Sequence, residues 1–168
     1  MKAMETKVGE LIEQGHSTRS QIELHISSNP EYLRVVRHAV RQVGLVVGFA
    51  EKAREMIALA VEEALTNVIR HGYGGPCDEQ IIIKLNRIDD DPEGRVALEI
   101  TVRDFGRKVD PETIEGRNLD HLRPGGLGVQ LINSVMDEVE YRSVQGQGMV
   151  LQMKKYLGDE FGNMVKKS

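Results

Sequence analysis

Two stretches of helical periodicity stand back to back between residues 33 and 71, and most other periodic stretches are strand-like. Leu33, Val36, Val40 and Val43 recur three or four residues apart, which puts them on one helix face. Asn29-Pro30 supplies an N-cap followed by proline at the first helical position, and the stripe runs out near Gly44 to Gly48. A second helix is expected from Glu51 to His71, closed by Gly72-Tyr73-Gly74-Gly75-Pro76, a string that ends a helix. Before this pair, Gln21 to Ser27 alternates as a strand does, with Ile22, Leu24 and Ile26 on one side. After it, Ile81, Ile82 and Ile83 read as buried strand, and Asp89 to Gly94 as a charged turn. Val96, Leu98, Ile100 and Val102 then alternate with Ala97, Glu99, Thr101 and Arg103. Gly128 to Met136 has the length of a short helix, and Glu138–Gln145 and Met149–Tyr156 flank Gly146-Gln147-Gly148 as a terminal hairpin. Helices grouped between runs of strands imply an α+β fold, a two-layer sandwich with helices on one face of a mixed, mostly antiparallel sheet.

The domain is expected to span residues 21–157 of the 168, with an arm at 1–20 and a polar tail at 158–168. In the arm, Met4, Val8, Leu11 and Ile12 have helical spacing, which suits either a partner-facing helix or a frayed terminus. Asp104 to Pro124 has no strong period and reads as a long loop; such loops in compact domains are often lids. A net charge of -4 gives no basic field for nucleic acid. No apolar run reaches the length of a membrane span. Glu5, Glu10 and Glu13 speak against a secretory signal at the N-terminus. Cys77, the single cysteine, can form neither an internal disulfide nor a zinc site alone. A cytoplasmic protein with no nucleic-acid or membrane partner is the simplest reading.

Three places could carry chemistry. Glu63, Asn67 and His71 lie at i, i+4 and i+8, each about 40° further around the helix axis, bordering the apolar arc of Ile57, Val61, Ala64 and Val68. The Asn67 carbonyl is a hard ligand suited to Mg²⁺, and Glu63 could accept a proton from an attacking hydroxyl. Taken alone, these positions also suit a solvated face, with His71 near the helix C-terminus where the dipole favours a cation. Asp104-Phe105-Gly106 follows the clearest strand. Its carboxylate could accept the exocyclic amine of adenine, with the glycine close to the flat base, and an ordinary strand-ending turn would look the same. Pro124-Gly125-Gly126-Leu127-Gly128 leads into a helix, where N–H groups and the dipole favour phosphate. It is not a Walker A loop, since no Lys-Ser or Lys-Thr follows, and it follows a loop rather than a strand, unlike the dinucleotide fingerprint.

The order of these pieces resembles a known family. Val61-Glu62-Glu63-Ala64-Leu65-Thr66-Asn67 with His71-Gly72-Tyr73-Gly74 resembles the N-box of histidine-kinase-like ATPases. Val102 to Gly106 resembles the first glycine box, and Gly125 to Gly128 the second. Within that superfamily the chain is most similar to anti-sigma-factor serine kinases of the RsbW type, through "AVEEALTNVIRHGYGG" and "GGLGVQLINSVMDEVEY". The resemblance covers roughly residues 21–156. It implies a Bergerat-type fold that binds Mg-ATP, with Asn67 on Mg²⁺, Glu63 as the catalytic base, Asp104 on the adenine amine and Gly106 beside the base. His71, Arg123, Gly125, Gly126, Leu127 and Gly128 complete the implied nucleotide site, Arg123 standing where related kinases carry a lid arginine. The implied acceptor is a serine on a STAS-domain anti-anti-sigma protein. The implied further partners are a sigma factor or another regulator, and a second copy of the chain. The first glycine box departs from many relatives, because Gly106 is followed by Arg107-Lys108-Val109-Asp110-Pro111 rather than a second glycine. Arg70 has no assigned role. The alternative reading is a nucleotide-gated binding module with little transfer. The catalytic half of a histidine kinase fits less well, since His38 lacks an acidic neighbour and a following proline.

Overall fold

The computed structural model describes residues 22–89, 91–106, 127–144 and 148–158. The arm at 1–20, the tail from 159 on, most of the expected lid, and Arg107, Lys108, Arg123, Gly125 and Gly126 lie outside the described residues. The chain forms β1 (Ile22–Ser28), a 3-10 turn (Pro30–Tyr32), α1 (Leu33–Val47) and α2 (Glu51–Asn67), then a π turn (Val68–Gly72). It continues with β2 (Cys77–Ile88), β3 (Ala97–Asp104), α3 (Leu127–Val135), β4 (Glu138–Ser143) and β5 (Met149–Tyr156). The strands lie in the order β1-β2-β3-β5-β4. Asn29 caps the chain entering α1 by accepting from Glu31 N–H, with Pro30 following it.

The expected helix-on-sheet sandwich is present, and every strand pairing among the described residues is antiparallel. The connections account for this. A helix hairpin, α1 and α2, joins β1 to β2 and brings the chain back to the end it left. β3 and β4 run the same way, joined by a connection whose described part holds α3, and β5 lies between them. The core fills the space between the layers: Val36, Val40, Ile57, Val61, Leu65 and Ile132 from the helices, against Ile81, Ile83, Leu85, Ile100 and Met153 from the sheet. Alanines at 53, 60 and 64 keep the buried face of α2 small enough to lie close to its neighbours.

One expectation is corrected. The second α-helix stops at Asn67 rather than His71. Beyond it Tyr73 N–H reaches back five residues to the Val68 carbonyl at 3.0 Å, so this turn holds one residue more than an α turn. The outward side of β3 is also less exposed than its alternation implies, since Ala97 and Glu99 are buried as well. Glu99 accepts from Gln152 at 2.6 Å and from Asn86 at 3.5 Å, and the Arg95 guanidinium lies 3.6 Å above the Tyr156 ring. A central strand has neighbours on both sides, and here they cover both its faces at one end.

The terminal hairpin is tied at its base by Tyr156, whose hydroxyl donates to Glu138 at 2.5 Å. That bond, with burial, pushes the Tyr156 phenol up to about 12, and it holds the Glu138 carboxyl below its usual range. A raised tyrosine adds stability that is complete below its unfolded value of 10.0 and is lost as pH rises toward about 12. The lowered Glu138 adds stability above its unfolded value of 4.5 that is lost as pH falls through its folded value. Tyr156→Phe is therefore expected to cost about 1 kcal/mol at neutral pH, kept low because Glu138 is half exposed. It should also flatten the alkaline limb of the stability profile. Urea denaturation at pH 7 and at pH 10.5, roughly inside the window between the two tyrosine values, checks both effects.

Candidate active site

Adjacent carboxylates near the end of α2 have different fates. Glu62 accepts from Arg37 at 2.9 Å; Arg37 also reaches Glu55 at 3.4 Å, and Arg41 pairs with Glu55 at 2.6 Å. Glu62 is thus part of the stitching between α1 and α2. Glu63 points to the other side and makes no hydrogen bond or ion pair among the described residues. It faces the first turn of α3: a methyl group placed on Gly128 would lie 2.5 Å from Glu63 Oε2. Glu63 stands at one wall of an open cleft of about 470 Å³, whose other walls are Leu127, Gly128, Gln130, Leu131 and Ser134. The N–H groups and positive dipole end of α3 favour negative charge there. Leu127 is 87% exposed, so its side chain is not held in the core.

Asn67 ends α2, one turn beyond Glu63, half-buried and with no side-chain hydrogen bond among the described residues. Its carbonyl oxygen is a hard donor. Among the described residues no group of three or more His, Cys, Asp or Glu could hold a metal. A Mg²⁺ at Asn67 would therefore take its remaining ligands from phosphates and water, as that ion commonly does. His71 and Arg70 are exposed in the π turn. The structure does not continue the Glu63–Asn67 line to His71, because the α-helix has ended.

Asp104 ends β3 and is 6% exposed. Its Oδ1 accepts from Gly106 N–H at 2.9 Å and Met149 N–H at 3.3 Å. Glycines surround it. A methyl on Gly106 would meet the Gly72 carbonyl oxygen at 2.5 Å, so the π turn and the end of β3 touch backbone to backbone. Gly148 has φ +73, and a methyl there would overlap the Asp104 carbonyl and Oδ1. The structure thus joins Glu63 with Gly128, and Asp104 with Gly72 and Gly106.

Gly148, Met149 and Tyr73 were not among the sequence-derived site residues. Gly148 reads locally as a hairpin glycine and Tyr73 as part of a helix stop. Their contacts with the Asp104 segment span 45 and 32 residues of chain, and no local pattern records them. Arg103, beside Asp104, donates to the Met149 carbonyl at 3.2 Å and lies 4.7 Å from the Phe105 ring; burial lowers its pKa.

The family described as "Histidine kinase-like ATPase domain" matches residues 26–155. A "Serine-protein kinase RsbW" of Bacillus velezensis is 32% identical over 142 residues, covering 83% of this chain and 87% of its own. A protein of that name in Listeria innocua is 30% identical over 148 residues, covering 83% and 89%. Among solved structures, a chain of the SiaB-SiaC complex from Pseudomonas aeruginosa superposes with a TM-score of 0.51 at 12% identity, over 94% of this chain and 99% of that one, a likeness of fold.

Gly148 and Gly74 separate backbone strain from overlap. Their φ angles are +73 and +76, but a methyl on Gly74 meets nothing within 4 Å. Gly74→Ala should cost about 1 kcal/mol of strain, and Gly148→Ala about 3 kcal/mol of strain and overlap together. Urea midpoints of the two variants measure the difference.

Proposed function

The chain belongs to the histidine kinase-like ATPases and, within them, to the RsbW-type serine-protein kinases, and from that premise we propose that it moves phosphate from Mg-ATP to a serine on a STAS-domain anti-anti-sigma protein. The same chain would hold a sigma factor or another regulator when not engaged with that protein, acting as a homodimer in the cytoplasm with residues 21–157 as its catalytic unit. One observation carries the reading. Of two adjacent carboxylates, Glu62 is taken by Arg37, while Glu63 is unpaired among the described residues and faces the N-terminal turn of α3.

Each residue then has a chemical task. Asp104, held through Oδ1 by two backbone N–H groups, accepts the adenine amine, and Gly106 lets the backbone pass beside the base. Asn67 presents its carbonyl toward the ion. A Mg²⁺ ion held there by Asn67 would supply charge neutralisation for the phosphates during transfer. The N-terminal turn of α3, with Leu127 and Gly128, faces the phosphates, and absence of a side chain at Gly128 lets Glu63 stand close to that turn. Glu63 takes the proton of the attacking serine hydroxyl. Arg123, Gly125 and Gly126 precede this turn in sequence and would contribute to phosphate binding; His71, exposed in the π turn, would contribute at the rim. Catalysis rests on positioning and charge neutralisation, with no covalent intermediate on the protein.

The test incubates the full chain with Mg²⁺, γ-labelled ATP and its cognate STAS-domain protein. Serine labelling is expected with wild type, to fall at least about 100-fold in Glu63→Gln, and to be lost in Asn67→Ala. If wild type binds ATP and the STAS protein yet never labels serine, the kinase reading fails and a nucleotide-gated binding module takes its place.

A further inference from the structure

The β2–β3 ladder stops at an unusual place. Its last pair is Ile81 with Asp104, although β2 continues outward, pairing with β1 through Gln80 opposite Ser27. The next antiparallel pair would set Gln80 opposite Phe105. Instead the Tyr73 hydroxyl stands between them, accepting from Phe105 N–H at 2.7 Å and donating to the Gln80 carbonyl at 2.5 Å. One hydroxyl takes the place of one ladder bond, so both backbone groups stay satisfied while β3 leaves β2. That departure is what brings Gly106 against the Gly72 carbonyl and turns its N–H onto Asp104 Oδ1.

We propose that Tyr73 is a positioning residue for nucleotide recognition: its hydroxyl ends the β2–β3 ladder at Asp104 and so sets the carboxylate that reads the base. This rests on the nucleotide site proposed above. The Tyr73 hydroxyl can bridge the two groups because it donates and accepts at once. Tyr73 is half-buried. Burial, aided by the nearby Asp104 charge, raises its pKa, so the hydroxyl keeps its proton across the neutral range. Its ring packs against the core, and Tyr73→Phe preserves that packing while removing the hydroxyl. With the bridge gone, Phe105 and Gln80 close into another ladder pair or turn to water, and either outcome loosens the placing of Asp104.

The experiment measures dissociation constants for ATP and for ITP, which has a carbonyl oxygen where ATP has its amine, on full-length wild type and Tyr73→Phe. ATP binding should weaken about tenfold in the variant, the worth of roughly one hydrogen bond. ITP binding should be unchanged, and kcat at saturating ATP should stay within about twofold, the pattern of a lost binding interaction. A purely structural role would weaken both nucleotides alike, and that result overturns the proposal, as does unchanged ATP binding; in either case the nucleotide site itself stands. Wild type that binds no ATP overturns both. Should Tyr73→Phe fail to fold, exchange of the Phe105 amide in wild type decides: strong protection upholds the bridge, and exchange at the rate of a free peptide removes it.

Discussion

A carboxylate that is 6% exposed has to draw its hydrogen bonds from the protein, and Asp104 takes them from the N–H groups of Gly106 and Met149. Leaving such a group unsatisfied would cost several kcal/mol. Satisfying it from backbone requires that other chain segments come to within a hydrogen bond, and side chains would block them. Hence the glycines at 106 and 148, at the end of β3 and in the terminal hairpin, while the π turn comes in through the Gly72 carbonyl against Gly106. Three segments distant in sequence are thereby fixed around one acid at one end of the sheet. The helix layer and the core stand behind this arrangement, holding the end of α2 against it.

The other half of the site depends on a division of labour between neighbours. Arg37 and Arg41 gather Glu55 and Glu62 into a network that fastens α1 to α2. With Glu62 committed to that network, Glu63 projects on the other side, toward α3, where Gly128 leaves room for it. A side chain at 128 would push Glu63 away from the helix N-terminus, and a side chain at 106 would push the Asp104 segment from the π turn.

Much of this was legible because it is local or periodic. The apolar stripe of α1, the strand at Ile81 to Ile83 and the hairpin of β4 and β5 follow from spacing alone, and Asp104-Phe105-Gly106 stands at a strand end where the alternation predicted it. The π turn was not legible: Val68-Ile69-Arg70-His71 contains nothing that distinguishes a wide turn from an α turn, and only the long reach from Tyr73 to Val68 reveals it. The burial of Glu99 was not legible either, because alternation says nothing about what covers the second face of a strand. Gly148 and Tyr73 were missed because their partners are distant in sequence. Glu63 stood out by its i, i+4 spacing to Asn67 and by the resemblance; that Arg37 takes Glu62 could not be read from the sequence, because the two lie 25 residues apart.

The central claim is that the Asp104 frame and the Glu63–Gly128 contact are two ends of one Mg-nucleotide site. A crystal structure of the full chain with Mg²⁺ and a non-hydrolysable ATP analogue tests it most directly. The account predicts the adenine amine on Asp104, the ion on Asn67 and the terminal phosphate between Glu63 and the N–H groups at the start of α3. A nucleotide bound elsewhere, or one that leaves Asp104 or Glu63 without contact, would contradict it.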